Sequence, residues 1–227
     1  MIIGILQTGH LPDEIQAVNG NIDIVFQRLL GGRGYEFRVF RVVDMDFPDS
    51  PDDADGWLIT GSKHGAYDDL PWIPRLEAFI RDIRDAGSPL VGICFGHQII
   101  AQALGGRVEK FAGGWSVGRQ SYDFDGETMA LNAWHQDQVV ALPDGAQVLG
   151  RSDMCDNAMI SYGDRIFTVQ AHPEFGPDLV QGLITHRGQG VLPDALLDDA
   201  RAGLTQPVHN AAMADRLAAV LEKGRPA

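Results

Sequence analysis

Residues 89–106, Pro-Leu-Val-Gly-Ile-Cys-Phe-Gly-His-Gln-Ile-Ile-Ala-Gln-Ala-Leu-Gly-Gly, constrain the fold more than any other stretch of the chain. Residues 89–93 are a short apolar run of the kind that makes a buried strand. Residues 98–104 repeat apolar side chains at helical spacing and stop at a glycine pair. A strand therefore runs into a helix with almost no loop between them. The junction residue is Cys94, with Gly92 two before it and Gly96 two after it. A turn this sharp strains the backbone of its central residue and leaves no room for a Cβ at either flank. The pattern is that of a nucleophile elbow with sulfur in place of a hydroxyl. It sets the thiol at the positive end of a helix, a place that suits an anionic sulfur. The N–H groups of the first helical turn, beginning with that of Phe95, are left to face a developing oxyanion. Taken alone, the same string also describes a small buried cysteine in a tight turn.

The chain before the elbow supplies its setting. Residues 1–6 read as a buried strand, followed by a polar loop through Gly9, Pro12 and Asp13. Ile22, Val25, Phe26, Leu29 and Leu30 recur at helical spacing until Gly31 and Gly32. Residues 36–43 alternate like a second strand, a loop rich in Asp and Pro spans 44–55, and residues 56–61 form a third, apolar strand. A helix over about 72–86 then carries Ile73, Leu76, Phe79, Ile80 and Ile83 on one face. This order predicts an α/β fold: a flavodoxin-like, doubly wound, mostly parallel sheet flanked by helices. Residues 107–170 change to short strands and turns, which predicts a small antiparallel sheet added to the parallel core and interrupted by a polar run over 131–139. Helices follow at 178–187, 194–202 and 210–223, those from about 190 to 224 being extra to the core.

At 227 residues the chain suits one domain spanning 1–227. A net charge of -13 argues against nucleic acid and against an anionic membrane surface as partners. No apolar run approaches membrane-spanning length, and the opening residues lack a signal-peptide pattern, so a cytoplasmic location is expected. Such a compartment also argues against a disulfide between Cys94 and Cys155. Cys155 has neither glycine framing nor a following helix and is read as incidental.

Parallel sheets place ligands at the carboxyl ends of their strands, so the Gly61-Ser62 turn belongs on the same rim as Cys94, where it can offer a second backbone donor. Downstream, His172-Pro-Glu174 ends an extended segment. Side chains two apart on a strand point the same way, and Pro173 keeps His172 out of the helical region. Glu174 can thus hold one imidazole nitrogen while the other takes a proton from a thiol. His135, within Trp134-His135-Gln136-Asp137, reads by itself as a surface histidine.

Together, Gly92-Ile-Cys-Phe-Gly-His-Gln98 and His172-Pro-Glu174, in that order, resemble the class I glutamine amidotransferases over roughly residues 1–190. The resemblance implies a Cys94, His172, Glu174 triad: sulfur attacks a side-chain amide carbon, the imidazole carries the proton to the leaving ammonia, and the carboxylate orients the ring. It implies an oxyanion hole from the backbone of Phe95 and of Gly61 or Ser62, a substrate contact from Gln98, and a substrate-holding segment Trp134-His135-Gln136-Asp137. Trp134 and Gln136 stand where that family segment more often has small residues. Neither cofactor nor metal is called for. The function implied is that of a thiol amidohydrolase acting on a small molecule, with glutamine first and an ammonia-accepting synthase as partner. The elbow string is similar to that of guanylate synthase amidotransferase domains and of γ-glutamyl peptidases. A γ-glutamyl peptidase is the alternative, and a silent binding subunit is the third.

Overall fold

The structure, a computed structural model, describes residues 1–224. In chain order the elements are β1 (Ile2–Leu6), α1 (Asp13–Asn19), α2 (Ile22–Leu29), β2 (Glu36–Phe40), β3 (Gly56–Ile59), α3 (Trp72–Asp85), β4 (Leu90–Ile93) and α4 (Phe95–Ala103). Then come β5 (Arg107–Lys110), β6 (Ser116–Phe124), β7 (Glu127–His135), β8 (Asp137–Ala141), β9 (Ala146–Ser152), β10 (Cys155–Tyr162) and β11 (Ile166–Val169). The chain closes with α5 (Pro177–Leu183), α6 (Asp194–Gly203) and α7 (Asn210–Leu221).

Nine strands form one sheet in the order β2-β1-β3-β4-β11-β10-β9-β6-β7, and β5 pairs with β8 in a separate antiparallel sheet. The first five are parallel and follow the doubly wound order. Every residue of β3, β4 and β11 is buried, as central parallel strands covered on both faces require. One apolar layer, with Phe26, Leu179 and Leu217, covers one face of the sheet, and a second, with Leu76, Ile80, Ile99 and Ile100, covers the other. Each such fully buried side chain contributes about 1.5–3 kcal/mol. Cys94 packs with the first layer and Phe95 with the second, so the elbow crosses from one face to the other.

Beyond β11 the sheet turns back on itself. β11 is parallel to β4 and antiparallel to β10, which joins the two halves. The four antiparallel strands that follow curl until the chain just past β11 reaches β7, where His172 pairs with Asn132 and its N–H donates to the Asn132 carbonyl at 2.7 Å. Farther along the same edge, His209 N–H donates to the Ala130 carbonyl (2.8 Å) and its Nδ1 accepts from Ala130 N–H (2.9 Å). The outer edge of β7 is thereby covered rather than open to another chain.

Three local expectations change. The loop expected after β1 contains α1, whose single buried side chain, Ile15, leaves no periodic signal. The polar run 131–139 does not interrupt the antiparallel strands but belongs to β7 and β8, with Asn132 Nδ2 donating to the Phe175 carbonyl and Gln138 Nε2 to the Met154 carbonyl. The helix expected over 178–187 is α-helical only to Leu183 and continues as a π-turn over Ile184–Gly188.

Candidate active site

Cys94 sits between β4 and α4 with φ 53° and ψ -102°, left-handed backbone that a residue with a side chain rarely adopts. Such a conformer costs on the order of 1–3 kcal/mol and persists only where its surroundings enforce it. Here they do. A Cβ on Gly92 would lie 2.6 Å from the Gly96 carbonyl oxygen, and one on Gly96 would lie 2.3 Å from that of Ile59. Cys94 N–H donates to the Val169 carbonyl (2.9 Å) and Gly96 N–H to the Thr60 carbonyl (3.1 Å), so the turn is fastened to the strands on both sides of β4.

His172 faces that sulfur. Its Nδ1 is 2.6 Å from Glu174 Oε1, and the Glu174 side chain is 0% exposed. Glu174 Oε2 is buried with no partner among the described residues. The carboxylate therefore depends on the imidazole alone for compensation. Burial by itself would strip the proton from His172. Glu174 first, then Cys94 through charge and hydrogen bonding, instead carry its proton affinity up to about 10. With Nδ1 on the carboxylate, Nε2 is the nitrogen left for the thiol.

The rim between β1 and β3 completes this corner, at the point where the strand order reverses. Thr8 Oγ1 donates within 3.0 Å of the Thr60 and Gly61 carbonyls, and Ser62 Oγ donates to the Thr8 carbonyl at 2.7 Å. These bonds press Gly61 against the site. A Cβ there would stand 3.0 Å from His172 Cε1 and 3.7 Å from Cys94 Cβ.

Opposite lies the segment from the end of β7 into β8. Gln98 Nε2 donates to the Asp137 carbonyl (2.9 Å) and to Gln170 Oε1 (3.1 Å). Tyr67 OH reaches across to donate to Asp137 Oδ2 at 3.0 Å. His135 is buried, not on the surface. Its Nδ1 lies 3.2 Å from the Asp137 carbonyl, and burial first, then the charge of His172, push its proton affinity down to about 4. Gln136 Nε2 donates to the Phe111 carbonyl at 3.2 Å, and Trp134 stands beside Gly188 of the π-turn. Together these groups line a cleft of about 660 Å³. Lys63, Lys110 and Arg187 also line it, positive charges in a chain of net charge -13.

A strained thiol, an imidazole held protonated by a buried carboxylate, and free backbone around them can attack an acyl carbon and move the accompanying proton. A family model described as "Glutamine amidotransferase class-I" matches residues 22–184. The chain belongs to this family. Among its relatives, "Gamma-glutamyl peptidase 3" of Arabidopsis thaliana is 32% identical over 210 residues, covering 85% of this chain and 83% of that protein. "GMP synthase [glutamine-hydrolyzing]" of Clostridium novyi is 35% identical over 126 residues, which is 52% of this chain but 24% of that one. The crystal structure of a glutamine amido transferase from Methylobacillus flagellatus shares the fold, with a TM-score of 0.75, 24% identity, and coverage of 100% of this chain and 95% of that one.

In this member of the family the structure brings Cys94, His172, Gly61, Ser62, Gln98 and the 134–137 segment to one cleft, with Glu174 buried behind His172. Phe95 follows the sulfur with its ring in the opposite layer, so only its backbone borders the site. The Gln98 amide N–H groups are spent on Asp137 and Gln170, which makes its visible task that of bracing the cleft wall. Sequence reasoning leaves out Tyr67, Asn132 and Phe175. Only Phe175, next to His-Pro-Glu, carried a signal. Cys155 is buried outside the cleft, and burial pushes its thiol up to about 12.

Proposed function

We propose that this chain hydrolyses γ-glutamyl amides by thiol catalysis. The observation that carries the reading is the placement of His172 between a buried Glu174 and the strained Cys94. With the Cys94 proton carried on Nε2 of His172, Cys94 Sγ attacks the amide carbon; the C–S bond forms, and the C–N bond breaks as His172 gives that proton to the departing nitrogen. Amine or ammonia leaves, and a γ-glutamyl thioester remains. Water then attacks the thioester, His172 takes its proton, and glutamate is released as sulfur regains the proton. Gly96 N–H is already spent on Thr60, so the Phe95 N–H and one from Gly61 or Ser62 are assigned to the oxyanion. Residues 134–137, braced by Gln98, hold the glutamyl end.

Sequence alone put free glutamine first. The open cleft, with Trp134, Lys110 and Arg187 on its walls, gives a larger γ-glutamyl amide room and cationic partners for a carboxylate on its leaving part, and supports the peptidase reading ahead of glutamine. The extended likeness to a protein named γ-glutamyl peptidase supports the same order. Hydrolysis of glutamine for a partner synthase is the second reading, favoured by the match to one part of a longer GMP synthase. Either reaction suits a cytoplasmic single-domain enzyme whose two buried thiols stay unpaired.

The test is a panel of γ-glutamyl dipeptides and glutamine, with purified protein and Cys94→Ala. Dipeptide turnover above glutamine turnover, both lost in Cys94→Ala, is expected. Glutamine preferred and stimulated by a partner would establish the second reading. Unchanged turnover in Cys94→Ala would defeat both.

A further inference from the structure

His172 has a further partner besides Glu174 and Cys94. The Phe175 ring lies flat against the imidazole, with centroids 3.8 Å apart and planes 3° from parallel. Phe175 is 4% exposed and lines the cleft. Its backbone is fixed from several directions. Phe175 N–H donates to the His172 carbonyl at 3.2 Å, and the Phe175 carbonyl accepts from Asn132 Nδ2 at 2.8 Å and from Asn210 Nδ2 at 3.1 Å. The Asn132 carbonyl in turn receives the His172 N–H at 2.7 Å. One residue of β7 thus holds the backbones under both rings, so neither can slide along the other.

The arrangement is informative because two neutral aromatic rings favour offset or edge-on contact over a flat sandwich. A ring face attracts a cation held above it, by about 0.5–2 kcal/mol depending on how dry the site is. We propose that Phe175 is a positioning residue: its ring fixes the plane of the His172 imidazole, with Nδ1 on Glu174 and Nε2 toward Cys94, and its face stabilises the imidazolium over the neutral ring. This rests on the reading of Cys94, His172 and Glu174 as the reacting groups. The titratable groups facing His172 are Glu174 from its own segment, Cys94 from the elbow and His135 from β7. Phe175 adds a fourth side that carries no charge of its own.

The experiment follows two quantities across pH 5 to 11: alkylation of Cys94 by a haloacetamide, read by peptide mass so that Cys155 is distinguished, and kcat and KM for a γ-glutamyl dipeptide. Phe175→Leu and Phe175→Met remove the ring face. Phe175→Tyr keeps it, and Phe175→pentafluorophenylalanine keeps its shape while inverting its polarity. In the Leu, Met and pentafluoro variants the alkaline limb of kcat is expected about one pH unit lower, the size of a buried cation–ring contact. In the Leu and Met variants, loss of ring alignment is also expected to lower kcat and neutral-pH alkylation about tenfold, with KM within about twofold. Phe175→Tyr should restore the wild-type profile. Wild-type limbs in the folded Leu, Met or pentafluoro variants would overturn the proposal, as would a change confined to KM. The pentafluoro variant decides the matter should Leu and Met fail to fold. Alkylation needs no substrate, so absence of any γ-glutamyl turnover in the wild type would sink the reaction while leaving the stack testable.

Discussion

The two sides of the elbow treat a buried histidine in opposite ways. His172, on the chain that follows β11, is driven toward the charged form. His97 on α4 and His135 on β7 are driven toward the neutral one, pushed down to about 3 and about 4. All three rings are almost fully buried, so dryness does not separate them. Their partners do. His97 Nδ1 is 2.8 Å from the Thr168 hydroxyl and His135 Nδ1 is 3.2 Å from a carbonyl, whereas His172 Nδ1 meets a carboxylate at 2.6 Å. Hydroxyl and carbonyl dipoles do not offset the cost of a buried charge, and one carboxylate does. His135 is further held neutral by the charge on His172 itself, so the protonated ring enforces the contrast.

The sharpest way to break this comparison is to remove one ring from each side. His172→Asn should lower turnover at least about a thousandfold and destabilise the fold by about 3–5 kcal/mol, because Glu174 stays buried with no counter-charge. Adding Glu174→Gln should recover most of that stability and none of the activity. His135→Asn should show neither loss at that scale. Denaturant melts beside steady-state rates distinguish them, and equal stability losses in His172→Asn and His135→Asn would dissolve the contrast.

A smaller effect appears in the pH dependence of stability, and its sign differs between the two sides. His172, raised above the ordinary histidine value of 6.5, contributes stability that is whole below about pH 6.5 and fades as pH rises toward 10. His97, depressed from the same value, contributes stability that is whole above 6.5 and fades as pH falls toward 3, and His135 does so as pH falls toward 4. Melting temperatures across pH should therefore show His97→Gln flattening the acid limb and His172→Asn flattening the alkaline one. The same limb flattened in both variants would contradict the assignment.

The smallest effect concerns the cleft wall. Burial first, and then Asp137, push the Tyr67 hydroxyl up to about 12, so it remains a donor to Asp137 throughout the neutral range. Tyr67→Phe should raise KM roughly threefold to tenfold with kcat nearly unchanged, the worth of one ordinary hydrogen bond at a half-exposed site. A fall in kcat without a change in KM would move Tyr67 from binding to chemistry.

How much of this was legible in sequence depended on how local each constraint is. The elbow was readable because Gly92, Cys94 and Gly96 clash or fit within one turn, and the parallel strands because burial on both faces demands unbroken apolar runs. His172 and Glu174 were readable as a pair because they are two residues apart. Their anchoring was not. It depends on Asn132, forty positions earlier, meeting His172 after four antiparallel strands have curled, and irregular register between β9 and β10 takes part in that path. Tyr67 was invisible for another reason: half exposed in a loop, it belongs to no periodic pattern, and only the fold reveals what its hydroxyl touches. His135 was misplaced on the surface because a polar neighbourhood in sequence became a buried strand end in space.

The tether from His172 to Asn132, and from Phe175 to Asn210, has a consequence for a chain made from its N-terminus onward. When residue 94 leaves the ribosome, β11 is still unmade, so the strand that receives the Cys94 N–H and the imidazole beyond it do not yet exist. The sulfur waits without that imidazole until some eighty more residues have been added, and the Phe175 ring stacked on it gains its last clasp only with α7. A nascent molecule thus carries a thiol with no partner until residues 172–174 and α7 have been made.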